Sequence, residues 1–129
     1  MGTAVRAIFD TNLLIANDVP AVPEKIGISV VSLAELHYGV LAASASQRPL
    51  RLRRLASIES RFAALPVDSA VARNYGLLAE AVTAAGRKPR ARNFDLLIAA
   101  TAMTHNAILY TRNSKDFDGL ESLADVRPL

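Results

Sequence analysis

Residues 93–111 read NFDLLIAATAMTHNAILYT, and this stretch decides the fold class. Asn93 is placed to cap a helix over FDLLIAATAMTH, and Ala107 to Thr111 is a short apolar run of the kind that becomes a buried strand. A helix that feeds straight into a strand must run antiparallel to it, so its N-terminus returns to the strand's carboxyl end. Asp95, at the start of that helix, is thereby expected at the same edge as the residues that follow Thr111.

Upstream, strands come first and helices second. Residues 5–9, VRAIF, form a β-branched and apolar run that ends at Asp10, and TNLLIAN after it reads as a brief helix. Residues 28–31, ISVV, repeat the pattern and lead into SLAELHYGVLAA, where Leu33, Leu36, Val40 and Leu41 follow helical spacing. Gln47 to Leu65 reads as one long amphipathic helix with Leu52, Leu55, Ile58, Phe62 and Leu65 on a stripe. Leu65 to Val67 is the expected third strand, Asp68 the N-cap of a helix running to about Ala85, and Gly86 its stop. The segment from Gly86 to Arg92, which holds Pro89, is the expected exposed connection, and Ala124 to Arg127 an edge strand. Strands alternating with helices predict an α/β fold: a central parallel sheet of about five strands covered on both faces.

At 129 residues the chain fits one domain spanning 1–129. Hydrophobic residues make up 51% and charged residues 21%, a globular balance that argues against disorder. No apolar run reaches the roughly 18 residues of a membrane-spanning helix, and there is no signal-peptide pattern, so a cytoplasmic protein without a membrane partner is expected. The absence of cysteine excludes disulfides and thiolate metal sites. Net charge is +3, unevenly spread. Arg48, Arg51, Arg53, Arg54 and Arg61 share one helical stretch, while Arg87, Lys88, Arg90 and Arg92 crowd the connection before Asp95. Either patch alone suits a solvated surface; beside a cluster of acids, the two suit a polyanion.

Four acids sit beside strongly apolar segments: Asp10, Glu35, Asp95 and Asp116. In an open parallel sheet, ligands bind beyond the carboxyl ends of the strands. Asp10 and Asp116 follow strands, Glu35 falls in the first turn of the helix after a strand, and Asp95 returns to the same edge by the argument above. Residues 86–92 must climb back across the sheet, and seven extended residues reach roughly 23 Å at about 3.3 Å each. Gathered carboxylates repel one another, and some take up protons unless a cation neutralises them. Oxygen-only ligands select a hard ion, Mg²⁺ or Mn²⁺ in its place.

Each acid also has a local reading. Ser32 and Glu35 match the S-x-x-E capping box, Asp10 suits an ordinary N-cap, Asp95 complements a helix dipole, and Asp116 suits a turn. None of these predicts four acids at one edge. Asp18, Glu24, Asp68 and Asp118 read as surface or capping residues, and His37 and His105 as structural or exposed ones, so zinc and imidazole chemistry gain no support. The isolated glycines form neither a Walker A sequence nor a dinucleotide fingerprint.

The set DTN at 10–12, SLAELHYG at 32–39, DLLIAATA at 95–102 and TRNSKDF at 111–117 resembles the PIN domain, and within it the VapC-type toxins of bacterial toxin–antitoxin pairs. The resemblance covers almost the whole chain. It implies a PIN-like three-layer sandwich and a Mg²⁺-dependent endoribonuclease in which Mn²⁺ substitutes. Asp10, Glu35, Asp95 and Asp116 match the acidic quartet, with Asp10 and Asp95 as direct metal ligands. Thr11, Asn12, Thr111 and Asn113 fall at the polar positions that orient carboxylates or water. The resemblance also implies a homodimer, and an antitoxin that covers the groove and brings DNA contact with it. Arg87, Lys88, Arg90 and Arg92 are the expected RNA guides.

Three other classes fit less well. A phosphoacceptor receiver module would want paired acids after its first strand. A haloacid dehalogenase-type phosphohydrolase would want an aspartate where Asn12 stands. A PIN domain that binds RNA without cutting it would not need all four acids.

Overall fold

The computed structural model describes residues 4–129. Five short strands, β1 (Ala7–Phe9), β2 (Ile26–Ser29), β3 (Ala63–Leu65), β4 (Ile108–Thr111) and β5 (Val126–Pro128), form one sheet in the order β3-β2-β1-β4-β5. Every neighbouring pair is parallel. The helices between them are α1 (Thr11–Ile15), α2 (Val30–Ala42), α3 (Arg48–Arg61), α4 (Ser69–Ala84) and α5 (Asn93–Thr104). The expected α/β fold is the one observed. Its strand order differs from the 2-1-3-4-5 order of receiver modules.

Alternation along β1 and β4 divides the interior in two. Ile8 and Leu109 point to one face, where they meet Val71, Leu78 and Val82 of α4 and Leu96 and Ile98 of α5. Ala7, Phe9 and Tyr110 point to the other, where Leu13 of α1 covers them. Side chains of successive strand residues must leave on opposite sides, so a three-residue strand buried on both faces is apolar throughout, as AIF is. The Phe9 and Tyr110 rings meet edge to face at 6.1 Å across the β1–β4 pair.

Several boundaries differ from the sequence expectation. The strand expected at 28–31 ends at Ser29, whose hydroxyl accepts from Val31 N and caps α2. Apolar residues flank Ser29 on both sides of the junction, so hydrophobicity alone misplaces it. In consequence Ser32 lies inside α2, fully buried, and the Ser32–Glu35 capping box does not form. The helix expected over 47–65 stops at Arg61, and β3 takes 63–65 in place of 65–67. The stripe proposed for that helix is only partly buried: Leu55 and Ile58 are, whereas Leu52 is exposed. Asn93 opens α5 as its first residue, and its carboxamide oxygen accepts from the Tyr75 hydroxyl at 2.6 Å. The connection before α5 is not extended, because Pro89–Arg92 forms a 3₁₀ turn.

Two helices end alike, and these endings aim the strands that follow. After α4, Gly86 takes φ +80, with Gly86 N bonding to Thr83 O and Arg87 N to Val82 O. After α5, Asn106 takes φ 50, and Asn106 N and Ala107 N bond to Met103 O and Ala102 O. Both are Schellman endings with a left-handed residue just past the cap. Gly86→Ala is therefore expected to lower stability by roughly 1 kcal/mol, the cost of a Cβ in left-handed backbone, and the midpoint of thermal unfolding by about 4 °C. An unchanged midpoint would show that this turn relaxes freely.

Candidate active site

Asp10 follows β1 directly and is 6% exposed. Its backbone N–H bonds to Tyr110 O, which extends the β1–β4 ladder one step and fixes the residue beside the end of β4. Both carboxylate oxygens are engaged: Oδ1 accepts from Thr11 N, the first amide of α1, at 2.9 Å, and Oδ2 from the Thr111 hydroxyl at 2.8 Å. That hydroxyl in turn accepts from Asn113 N at 3.0 Å, so its proton is directed to Asp10. A buried carboxylate is tolerated only when its oxygens are so occupied.

Glu35 lies in the second turn of α2, one turn beyond the expected position. Its Oε1 accepts from the Thr11 hydroxyl at 2.8 Å, and the Ser32 and Thr11 hydroxyls lie 2.9 Å apart. Thr11 has one hydroxyl proton, and the glutamate accepts it. Ser32 must therefore donate to Thr11, and the order is Ser32 to Thr11 to Glu35. This chain joins α2 to α1 and holds Glu35 at the edge that carries Asp10.

Asp95 sits in the first turn of α5 and Asp116 on a 3₁₀ turn, Ser114–Phe117, just after β4. Phe117, buried in the α4/α5 core, anchors that turn. The Asp95 carboxyl is pushed up to about 6, first by burial, then by the charges of Asp10 and Asp116, with Glu35 adding to the rise and Arg92 opposing it. Three acids distant in sequence thus act on the fourth, as a shared edge requires. Arg92 Nη1 lies 2.6 Å from Asp116 Oδ1 and 4.0 Å from Asp95 Oδ2. Among the described residues no three Asp, Glu or His side chains close around one point.

The remaining candidates divide. Thr11 and Thr111 hold carboxylates through their hydroxyls, as described above. Asn113 contributes through its backbone N–H, and Asn12 is exposed. Arg87 donates to Asp118 O at 3.2 Å, Lys88 and Arg90 are exposed, and Arg92 turns inward onto the acids. His37 pairs with Glu59 between α2 and α3, and His105 caps the far end of α5 from Asp95. Two members of the site escaped the sequence reading. In the sequence Ser32 has only the spacing of a helix cap, and nothing more than its spacing of three from Asp95 signals the inward course of Arg92.

A sequence profile of the PIN domain matches residues 7–122. Ribonuclease VapC5 of Mycobacterium tuberculosis is 35% identical over 132 residues, covering 96% of this chain and 94% of that protein. The crystal structure of VapBC-5 from the same organism, a member of the VapBC family of toxin-antitoxin systems, superposes with a TM-score of 0.80 at 35% identity, over 97% of this chain and 98% of that one. VapBC2 from Rickettsia felis, solved bound to a DNA fragment from its promoter, gives a TM-score of 0.81 at 26% identity, over 97% and 99%.

The raised Asp95 pKa has a consequence for stability. A folded-state value of about 6 against 3.8 means that folding favours the protonated form. Stability from this source is full below about pH 4 and is lost as pH rises through about 6. In metal-free protein, Asp95→Asn is expected to raise the unfolding free energy at pH 8 by about 1–2 kcal/mol, a figure discounted for partial exposure. At pH 4 the gain should vanish. Urea unfolding at the two pH values checks this, and an equal effect at both would contradict it.

Proposed function

This chain belongs to the PIN-domain family, and on that premise we propose that it is a metal-dependent endoribonuclease, the toxin of a type II toxin–antitoxin pair. The observation that carries the proposal is that four separate segments bring their acids to one edge, Asp10 held by Thr111, Glu35 by Thr11 next to Asp10, and Asp95 and Asp116 both within reach of Arg92. Four carboxylates from separate segments at one sheet edge destabilise the metal-free protein, and a divalent cation relieves them. The substrate is RNA, hydrolysed at phosphodiester bonds, and residues 1–129 act as one domain in the cytoplasm.

The donor set fits Mg²⁺, with Mn²⁺ as substitute, because the four side chains offer only carboxylate oxygens. Asp10 and Asp95 would be direct ligands, with Glu35 and Asp116 completing the set. The ion, when bound, lowers the pKa of water and draws charge from the phosphoryl oxygens. The chain's own residues do the positioning. Thr111 and the Thr11 amide keep the Asp10 oxygens in fixed directions, and the Ser32–Thr11 relay does the same for Glu35. With water as nucleophile, the products carry 5′-phosphate and 3′-hydroxyl ends.

An acidic edge repels RNA, so cations must flank it. Arg87, Lys88, Arg90 and Arg92 border the start of α5, and of these Lys88 and Arg90 are exposed to meet phosphates. A groove between α2 and α3, lined by Leu36, Val40, Leu50 and Ile58, opens beside Thr11 and Glu35. It suits an apolar segment of an antitoxin, whose DNA-binding part would account for any DNA contact, and the toxin itself is expected to be a homodimer.

Two outcomes test the proposal. Asp10→Asn and Asp95→Asn are each expected to reduce Mg²⁺-dependent cleavage of total RNA by roughly a hundredfold or more, and chelation should silence the wild type. Cyclic phosphate ends on the products would contradict a water nucleophile. Separately, Lys88→Ala with Arg90→Ala should flatten the salt dependence of RNA binding, lowering the slope by up to about 1.4 at about 0.7 per lost contact. Equal slopes would remove these residues from the RNA path.

A further inference from the structure

We infer that Arg92 is the internal counter-cation of the acid cluster, and that a divalent ion enters by displacing its guanidinium from Asp116. The inference rests on the metal-dependent reading of the site. Among the described residues, Arg92 is the one basic side chain within ion-pair distance of any of the four acids, and it reaches two of them. These two, Asp95 and Asp116, come from different elements, so the pair ties the 3₁₀ turn at 114–117 to the start of α5.

At 2.6 Å the Arg92–Asp116 contact is a close ion pair. A metal ion on the same carboxylate would bring a second positive charge within about 5 Å of the guanidinium, where like charges repel strongly unless water intervenes. The two cations therefore compete for Asp116. The exchange is feasible because both partners are partly exposed, and pairs of that kind hold weakly. It also accounts for acids that share an edge yet do not close around one point. The inward guanidinium occupies the carboxylate whose movement would complete the set. Once released, Arg92 joins the exposed Lys88 and Arg90 nearby in sequence as a cation that an RNA phosphate can meet in place of Asp116.

The test is metal binding, read by calorimetric titration of the full-length metal-free protein with Mn²⁺ and by thermal melting with and without the ion. Arg92→Gln is expected to bind Mn²⁺ roughly three- to tenfold more tightly than wild type. It should melt lower without metal and gain more on Mn²⁺ addition. In an Asp116→Asn background the same substitution should change the affinity less than about twofold. If Arg92 only braced the fold, its loss would weaken metal binding, so the sign separates the two roles. Equal or weaker Mn²⁺ binding by a folded Arg92→Gln variant overturns the inference and leaves the ribonuclease proposal standing. A wild type that binds no Mn²⁺ overturns the metal-dependent reading itself and the inference with it. Should Arg92→Gln fail to fold, Arg92→Met, which keeps a long stem but removes the charge, carries the same test of sign.

Discussion

Repulsion among carboxylates at the carboxyl edge of the sheet is the constraint to which the rest of the molecule answers. Asp10 bears it best, since two oxygens with two donors make a buried anion tolerable. Asp95 bears it worst, since burial and three acidic neighbours leave it near pH 6 with only a 4.0 Å approach of Arg92 in compensation. The cluster is thus graded, from a fixed and fully bonded member to a labile one. Such a gradient is what a site needs if it is to admit a cation without collapsing before the cation arrives.

The fold supplies the address and the loops supply the tension. Parallel pairing of β1 with β4 puts Asp10 and Thr111 side by side, and this one ladder sets the distance between the first acid and its hydroxyl partner. The Schellman ending at Asn106 reverses the chain between α5 and β4 within three residues, which sends Asp95 back to the edge it shares with Asp10. Phe117 and Leu120, sunk in the α4/α5 core, then hold the turn that carries Asp116. None of these anchors touches the chemistry, yet each fixes where a charge stands.

Much of this was legible in the sequence. The acids announced themselves because each interrupts or closes an apolar run, and Asp68 and Gly86 behave at the two ends of α4 as their chemistry requires. What was hidden depends on contacts between distant segments. The β2–α2 junction has apolar residues on both sides, and only the Ser29 cap reveals it. The change from α3 to β3 at Phe62 leaves no mark in the hydrophobic pattern, because its rows continue on both sides. The relay through Ser32 and Thr11 needs α1 and α2 to touch, and the inward turn of Arg92 needs Asp116 to be brought near by the strand before it. Strand order likewise follows from lateral pairing that no local pattern encodes.

Whether these four side chains share a cation is the central question. A crystal soaked in Mn²⁺ and measured at the manganese absorption edge would decide it. A shared cation gives an anomalous peak in contact with Asp10 and Asp95, with Asp116 turned away from Arg92. A peak elsewhere on the surface, with Arg92 still seated on Asp116 and no ion between Asp10 and Asp95 at saturating metal, would contradict it.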